Sequence, residues 1–440
     1  MSAAQSQTAP KSKLGALQCH FTWDLDSSRT RLLRLMDKLE DIGTEEGNSW
    51  LGHIYNLQGF IQYKLGCTED AQSFFNKAAE AFSQTRGADE GPWLVVNYGN
   101  LAWLYHHLGE EAESQAYLSK VDALMSKHPP PSQDEIHPEV YAEKAWTLMK
   151  FSAEKKQLAT DYFDRAIKMQ PDMVQWRISQ VIGLVHSYNE SNAGLDDDIL
   201  EKMRILKEED PENLYLAAHY LEQRAKKENR IDEDEVRELA RKVSRNPISS
   251  YSGMNAILWI YRKYISVDEA IDLAEEALRR HPDDRYLKRS VALCYKWKII
   301  HVKDRRPNQS MIDRAIGLYK EVIALYPHSS ILKKIELANI YAKSNHSQGE
   351  AEQIYQELLE QSDLETSDKQ MLFNNYANYL NFNRHDRNKS IQYHKEAAKI
   401  PYQSFFRDSS IKILEQIKER SRIQYEEMEE FLKSLKEPQS

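Results

Sequence analysis

One spacing returns along this chain and limits what it can fold into. A small residue is followed by an apolar residue four positions on, another three further on, and a proline after five more. Three copies read Ala159, Phe163, Ala166, Pro171; Ala270, Ala274, Ala277, Pro282; and Ala315, Tyr319, Val322, Pro327. Residues three and four apart share one face of a helix. The spacing therefore predicts repeated helices with small contact residues, each ending near a proline.

The first half of the chain adds Gly59, Ala71, Phe75 and Ala78 in a related order. Together these copies match the tetratricopeptide pattern, a helix–turn–helix unit of about 34 residues. Such units stack into a solenoid with a concave surface. We predict an all-α superhelical solenoid of helix pairs over residues 14–435, after a disordered N-terminus at 1–13. Its N-terminal part is 14–247 and its C-terminal part is 248–435.

Individual elements follow from the same periodicity. A first helix is predicted from Leu14 to Trp23, and Asp26, Ser27 and Ser28 offer an N-cap for a second helix. The apolar stripe of that second helix is Leu32, Leu35, Met36 and Leu39. Helix pairs are predicted over 50–83, 93–125, 138–171, 255–282 and 287–327, with looser repeats over 173–247. An insert is predicted from His301 to Gln309, two further repeats follow Ala338, and one long charged helix runs from Asp408 to Leu435.

Composition limits the function classes. The net charge of −9 gives no overall basic surface for nucleic acid, so a polyanion site has to be a local basic lining. Three cysteines, far apart in the chain, predict reduced thiols and a cytoplasmic protein. No secretory signal and no run of 18 apolar residues is found, so we expect neither secretion nor a membrane span.

Motifs for catalysis are absent from the sequence. It contains no His-Glu-x-x-His motif, no phosphate-binding glycine loop and no nucleophile elbow. Cys19 and His20 are neighbours with no other Cys/His cluster nearby, which disfavours a metal site. We therefore expect no enzymatic activity, no cofactor and no metal.

Trp146 and Lys150 place an aromatic ring and a cation four residues apart. If that helix face points into the concave surface, the two side chains can hold a base and a phosphate together. The alternative is a core tryptophan beside a solvated lysine, and the spacing alone favours this second interpretation.

A longer stretch of residues resembles a known family. The segment Cys19-His20-Phe21-Thr22-Trp23-Asp24-Leu25 precedes a long repeat array, and further likeness lies in the segments 64–66, 143–151, 293–296 and 337–342. Over about residues 14–425 the chain resembles the interferon-induced proteins with tetratricopeptide repeats, cytosolic antiviral effectors of vertebrates. The resemblance implies a positively charged tunnel in which some members hold the 5′ end of foreign RNA, either triphosphorylated or incompletely capped. Other members act mainly through partner members.

The resemblance also assigns roles to residues of this chain. Lys150 matches a phosphate-contacting lysine, and Lys38 keeps the charge of an arginine. Trp146 matches the tryptophan that stacks on a cap, Ile182 lies at a neighbouring apolar pocket position, and Arg262 matches a tunnel arginine.

Several positions depart from the family pattern. His186 stands where triphosphate-binding members carry an arginine, and a neutral histidine offers one donor in place of a two-pronged cation. Asn255 replaces a second arginine, Ser252 a tyrosine and Ile42 a glutamine. The residues that offer compensating charge are Arg34, Lys156, Arg289 and Arg420. These departures bear on 5′-triphosphate specificity more than on RNA binding itself.

Two function hypotheses follow. In the first, the chain is an interferon-induced antiviral effector of innate immunity that binds single-stranded or 5′-end viral RNA and blocks its translation, with Lys38, Trp146, Lys150, Arg262, Ile182, Arg34 and His186 as RNA-binding residues. In the second, it is a protein-interaction scaffold that forms homo- or hetero-oligomers with other repeat proteins, which the negative charge favours. Neither hypothesis includes DNA or a membrane as a partner.

Overall fold

The fold was analysed in a computed structural model, which describes residues 12–25, 28–43, 48–132, 135–191, 195–301, 308–420 and 425–435. Every regular element in these ranges is helical, so the all-α prediction is confirmed for them. The chain divides into two compact units, Met1–Ile265 and Ser266–Ser440. The first unit extends beyond the predicted division after residue 247 because the helix that follows packs against an earlier helix of the same unit.

The first unit starts with a short helix α1 over 12–16 and a 3-10 turn His20–Thr22. Its remaining helices are α2 Arg29–Glu40, α3 Leu51–Leu65, α4 Thr68–Arg86, α5 Val95–Leu108, α6 Glu111–Lys127, α7 Pro138–Leu148, α8 Ala153–Met169, α9 Val174–Ser191, α10 Asp197–Glu209, α11 Leu214–Glu228, α12 Glu233–Arg245 and α13 Met254–Ile260. A 3-10 turn Pro92–Leu94 precedes α5, and a π-helical turn Tyr261–Ile265 follows α13.

The second unit continues the series of helices. They are α14 Val267–Arg280, α15 Arg285–His301, α16 Gln309–Leu325, α17 Ser330–Tyr341, α18 Gln348–Leu359, α19 Thr366–Tyr379, α20 Arg387–Lys399, α21 Phe405–Arg420 and α22 Tyr425–Ser434. Short turns follow α16 at Pro327–Ser329 and α19 at Leu380–Arg384.

The predicted small residues are the points of closest helix approach. Within the α3–α4 pair, a Cβ added to Gly59 would lie 2.7 Å from the ring of Phe75, so a larger residue would force the helices apart. Ala71, Phe75 and Ala78 are fully buried in that pair. Ala159, Phe163 and Ala166 play the same part where α7 packs against α8. The repeat spacing is thus confirmed as a packing rule.

The N-terminal helix prediction is wrong in its length. Helix α1 ends at residue 16, and the chain then forms the separate 3-10 turn around His20. The hydroxyl of Thr22 donates to the carbonyl oxygens of Leu17, at 2.6 Å, and Cys19, at 3.0 Å, and so holds the break in place. Ser28 caps α2 by accepting from the amide of Arg31 at 3.3 Å, while Asp26 and Ser27 lie outside the described residues.

The predicted stripe of α2 is confirmed, since Leu32, Leu35, Met36 and Leu39 are all buried. The loose repeats of 173–247 form four regular helices, α9 to α12. Their apolar positions are buried, including Met203 and Val243. The basic residues of the predicted insert, Lys303, Arg305 and Arg306, lie outside the described residues, as does segment 1–11.

The charged tail is not one long helix. Helices α21 and α22 pack against each other and form a further helix pair. Leu414 of α21 and Met428 of α22 are fully buried in a small cluster that also includes Ile391 and Ala398 of α20. Each of the two helices has a short apolar face, and the two faces pack against each other. The many charged residues of the segment make these faces hard to see in the sequence.

Candidate nucleic-acid interface

The end of α7 brings the predicted ring and cation into contact. The helix ends at Leu148, and the amide of Lys150 donates to the carbonyl of Thr147 at 2.9 Å in the turn before α8. This turn carries the ammonium of Lys150 over the indole of Trp146, 4.4 Å from the ring centroid. A lysine at this distance from an indole face makes a cation–π contact.

Trp146 itself lies in the core. It is 1% exposed, and the ring of Trp50 stacks on it with centroids 5.6 Å apart and planes 12° from parallel. With Trp50 on its ring and Lys150 over its ring, the indole has no exposed surface for a base. In this structure the ring of Trp146 supports the ammonium of Lys150, and its stacking on a ligand stays a prediction.

Tyr251 is the second support of Lys150. Its hydroxyl accepts a hydrogen bond from the ammonium at 2.9 Å, and the ammonium is 5.5 Å from the centroid of its ring. Tyr251 belongs to the loop between α12 and α13. The amide of Ser250 in this loop donates to the carbonyl of Asp41 at 2.7 Å, just beyond the end of α2. The loop is thus fixed to the helix that carries Lys38.

Further rings extend this arrangement across the first unit. The ring of Tyr215 lies 5.1 Å from that of Tyr251, His219 lies 4.6 Å from Tyr215, and His186 lies 5.7 Å from His219. We name these five residues, Lys150, Tyr251, Tyr215, His219 and His186, the basic-aromatic row. Tyr251, Tyr215 and His219 are half-buried and His186 is exposed, so the row presents ring surface to solvent.

Position along α11 explains part of the row. Tyr215 and His219 are four residues apart on that helix and so share one face. His186 lies on α9, which packs against α11, while Lys150 and Tyr251 come from turns. Proteins that bind single-stranded nucleic acids stack the bases on aromatic rings and contact the phosphates with cations. The row offers both kinds of side chain.

The charge of the row is mixed. Desolvation, followed by the positive neighbours His219, Lys150 and Lys156, lowers the pKa of His186 to about 3, so its imidazole is neutral at pH 7. Glu222 lies next to His219, with Oε2 3.2 Å from Nδ1. Burial opposes ionisation of this carboxyl, but hydrogen bonds and charge from His219 and Lys226 outweigh burial and lower the pKa of Glu222 to about 2. The fixed positive charge of the row is therefore that of Lys150.

The other predicted site residues lie on neighbouring elements. Lys38 is exposed near the C-terminal end of α2, and Arg34, one turn earlier, is half-buried. Ile182 is 7% exposed on α9, one turn before His186, as an apolar pocket position requires. Arg262 is half-buried in the π-helical turn after α13.

Two of the positions that depart from the family pattern have structural roles. Ile42 is buried, and the hydroxyl of Ser252 donates to the carbonyl of Ser249 at 2.7 Å within the loop that presents Tyr251. Asn255 is exposed in the first turn of α13. Tyr251 therefore supplies an aromatic ring one position before the serine that replaces a tyrosine.

Sequence inspection missed Trp50, Tyr215, His219 and Tyr251. Each lies outside the consensus positions of the repeat, so periodicity does not single them out. One available signal was the Tyr/His pair at i and i+4 on α11, which would have placed two polar rings on one face.

A second basic cluster belongs to the second unit. The guanidinium groups of Arg285 and Arg289 lie 4.1 and 5.4 Å from the ring centroid of Tyr326, and the ammonium of Lys333 lies 4.8 Å from it. Arg289 also lies 5.2 Å from the ring of Tyr286. Arg289, which the sequence predicts as a compensating charge, thus lies in a cluster of cations. The side chain of Arg420 lies outside the described residues.

Similarity to known proteins extends over nearly the whole chain. The tetratricopeptide repeat family profile matches residues 50–124. The chain is 26% identical over 431 residues to the antiviral innate immune response effector IFIT1 of Macaca fascicularis, covering 92% of this chain and 87% of that protein. The structure of the human IFIT1 dimer with m7Gppp-AAAA matches with a TM-score of 0.71 at 25% identity, covering 93% and 91% of the two chains. Over nearly its whole length this chain is similar to the interferon-induced proteins with tetratricopeptide repeats.

A second solved structure, the human IFIT1 dimer with PPP-AAAA, has a TM-score of 0.71 at 24% identity and covers 97% of this chain and 94% of that one. These likenesses confirm the solenoid class of the fold. The described residues contain no group of three His, Cys, Asp or Glu side chains placed to hold a metal ion. No helix in the described ranges is long and apolar enough to cross a membrane.

Proposed function

We propose that this chain is an interferon-induced antiviral effector that binds the 5′ end of single-stranded viral RNA along the basic-aromatic row and withholds that RNA from translation. Lys38, Arg34 and Arg262 supply further phosphate contacts, and Ile182 lines the apolar side of the site. The cytoplasm is where such RNA and the ribosomes meet, and we propose it as the location.

The observation that carries this proposal is the position of Lys150. Its ammonium is held between the rings of Trp146 and Tyr251, so it is ordered before any ligand arrives. A charge fixed in this way loses little conformational freedom on binding, which raises the affinity for a phosphate. Half-exposed Tyr251 and Tyr215 lie beside it and offer ring faces to the adjoining bases.

The relatives support the same function. Human IFIT1 has been solved with PPP-AAAA and with m7Gppp-AAAA, and the macaque relative is an antiviral innate immune response effector. Non-catalytic binding of RNA is consistent with the absence of catalytic motifs from the sequence.

Binding of matched RNAs tests the proposal. Two RNAs of one sequence, one with a 5′-triphosphate and one with a 5′-hydroxyl, are titrated with the wild type and with Lys38→Glu/Lys150→Glu. We expect the triphosphate RNA to bind more tightly, its affinity to fall steeply with added salt, and the double variant to lose at least tenfold. Equal and negligible binding by both proteins would exclude the function.

A matched control separates site charge from net charge. Lys168 is an exposed lysine near the end of α8, about 20 Å along that helix from the turn that carries Lys150. Lys168→Glu removes the same charge as either single substitution and should change the affinity less than twofold. A loss as large as that of Lys150→Glu would indicate nonspecific attraction.

Oligomerisation is a second candidate function. Both solved human complexes are dimers. In the second unit of this chain the large side chains Phe382 and Phe405 are 68% and 67% exposed. Apolar side chains this exposed often mark a surface that contacts another protein. We propose that these residues contribute to contacts with a second copy or another family member. Sedimentation of wild type against Phe382→Ser/Phe405→Ser, with and without RNA, tests this candidate, and a monomeric wild type at every concentration excludes it.

A further inference from the structure

We infer that a patch of stacked rings on the first unit binds the triproline segment 129–131 of a second copy of this chain. The ring patch consists of Phe21, Tyr63, Trp103 and His107. It shares no residue with the basic-aromatic row or with the exposed phenylalanines of the second unit. The contact is therefore separate from RNA binding and from the oligomerisation surface proposed above.

The four rings form one stacked group at the C-terminal ends of α3 and α5. The rings of Phe21 and Trp103 have centroids 6.0 Å apart and planes 6° from parallel. The imidazole of His107 stacks on the other three rings, at 6.0 Å from Phe21, 5.2 Å from Tyr63 and 5.3 Å from Trp103. Offset stacks of this kind are favourable contacts. They hold the patch in one arrangement before a partner binds, which lowers the entropic cost of binding.

The ring patch is open to solvent. Phe21, Tyr63 and Trp103 are half-buried, and His107 is exposed. Leu108 is 41% exposed and extends the apolar surface beyond His107. The tyrosine hydroxyl and the imidazole can donate hydrogen bonds to backbone carbonyls of a bound segment. Apolar ring faces with polar edges are typical of the grooves that bind polyproline II segments.

The triproline segment has the form that such a groove binds. It lies between α6 and α7, where Pro129 and Pro131 are exposed and Pro130 is half-buried. Each proline fixes its own φ and drives the residue before it towards extended, polyproline II backbone. A segment that is already extended loses little conformational freedom when it docks on aromatic rings.

The charges beside the two surfaces are complementary. Lys127 is exposed directly before the prolines and their neighbour His128, and Glu110 and Glu111 are exposed directly after the ring patch. Glu111 is held near the patch by His106, with Oε1 3.1 Å from Nδ1. Lys64, next to Tyr63, is an opposing charge. Because all these groups are exposed, the attraction is small and decreases with added salt.

The contact has to join two molecules. The ring patch lies where α5 ends and α6 begins, whereas the triproline segment follows the end of α6. Helix α6 has 17 residues, so its two ends are about 25 Å apart. Since the patch and the segment are different surfaces, the contact is head to tail, and a bound pair still carries one unused patch and one unused segment. Such a contact forms growing chains or closed rings.

A labelled peptide of residues 125–132, MSKHPPPS, tests the recognition directly by fluorescence anisotropy. We expect saturable binding to the wild type, and at least tenfold weaker binding of a peptide with alanine in place of the three prolines. His107→Ala should weaken binding at least fivefold, as truncation of a central aromatic contact does. The control His346→Ala changes an exposed histidine of the second unit and should leave the affinity unchanged. Equal affinities for the two peptides, or for wild type and His107→Ala, would overturn the inference.

Mixing two variants tests the contact in the full chain. Tyr63→Ala/His107→Ala lacks the ring patch and keeps the triproline segment, whereas Pro129→Ala/Pro131→Ala lacks the segment and keeps the patch. Each variant alone should sediment as a smaller species than the wild type. In a 1:1 mixture, the intact patch of one variant accepts the intact segment of the other. We expect this mixture to form pairs that do not grow further as the protein concentration rises.

All three proteins carry Phe382→Ser/Phe405→Ser in this experiment, so that the second unit does not contribute to association. Thermal unfolding of each variant shows that it is folded. Variants that sediment exactly as the parent protein does, or a mixture without pairs, would overturn the inference. Because no RNA is present in either measurement, both outcomes are independent of the proposed RNA-binding function.

Discussion

The ammonium of Lys150 donates a hydrogen bond of 2.9 Å to the hydroxyl of Tyr251, a residue 101 positions later in the chain. This bond joins the turn after α7 to the loop before α13. Because the same loop is bonded to the backbone of Asp41, the phosphate-binding lysine and the end of α2 are positioned together. A site built on such cross-connections is ordered before RNA binds, which lowers the entropic cost of binding.

Tyr251 should act through its ring more than through its hydroxyl. Tyr251→Phe keeps the ring and removes one hydrogen bond to a charged group, so we expect a loss of about 1.5 kcal/mol in the free energy of unfolding and less than a threefold change in RNA affinity. Tyr251→Ala removes the stacking face and should weaken RNA binding about tenfold. Urea unfolding and fluorescence anisotropy measure the two effects. Equal RNA affinities for the Phe and Ala variants would contradict this assignment.

His186 limits the affinity for a 5′-triphosphate. Since desolvation and the nearby Lys150 and Lys156 keep its imidazole neutral, it brings no charge to a phosphate at pH 7. His186→Arg adds a permanent two-pronged cation and should tighten triphosphate RNA binding about tenfold, the equivalent of about 1.4 kcal/mol. A 5′-hydroxyl RNA should gain much less.

The pH dependence of the same variant provides an independent check. A bound phosphate raises the pKa of a neighbouring histidine. Because the pKa of His186 in the free protein is about 3, its protonation should add little to wild-type affinity between pH 8 and 6 and should strengthen binding only below about pH 5, whereas the arginine of His186→Arg keeps its charge throughout. Anisotropy titrations at each pH measure this difference. Identical pH profiles would show that His186 does not face the phosphate.

The sequence predicts the helices well because the repeat spacing encodes packing between neighbours along the chain. Gly59 and Phe75 meet within one helix pair, and a local pattern reports such a contact. Lys150 and Trp146 were also predictable as neighbours, since they are four residues apart in sequence. The prediction fails where a contact joins distant segments. Trp50 covers Trp146 from the start of α3, and no periodic pattern indicates that approach.

The residues that mark the family serve the core. The backbone amide of His20 donates to the side-chain oxygen of Asn100 at 3.1 Å, and its ring nitrogens lie 3.1 Å from Asn100 Nδ2 and 3.2 Å from Thr147 Oγ1. His20 is 1% exposed. The segment around His20 is thus bonded to α5 and α7 and stabilises the start of the repeat array.

His20→Ala should be strongly destabilising. The change opens a cavity and removes the imidazole as the partner of Asn100 Nδ2 and Thr147 Oγ1, so we expect a loss of about 3 kcal/mol in the free energy of unfolding. His346, an exposed histidine of the second unit, gives the control His346→Ala, which should change stability by less than about 0.5 kcal/mol. Guanidinium unfolding measures both. A loss for His20→Ala that matches the control would contradict a structural role for the segment.

Glu143 should make the protein less stable at alkaline pH. Burial raises the pKa of this carboxyl to about 8, although the side chain of Asn56 donates to it at 2.8 Å. Burial likewise lowers the pKa of His53, whose Nε2 lies 3.9 Å from Glu143 Oε2, so the two groups face each other as a neutral pair. The folded state therefore holds a carboxyl proton that the unfolded chain has lost above about pH 4.5.

The sign of the effect follows from proton linkage. Because the folded state binds the extra proton, the contribution of Glu143 to stability falls as the pH rises from about 4.5 to about 8, by at most about 1.4 kcal/mol per pH unit. Glu143→Gln keeps the acceptor oxygen for Asn56 and cannot ionise. Its stability relative to wild type should therefore increase with pH up to about 8 and stay constant above it. Urea unfolding at several pH values from 5 to 9 measures this difference, in which the titration of other groups cancels, and parallel curves for the two proteins would show that Glu143 is ionised in the folded state.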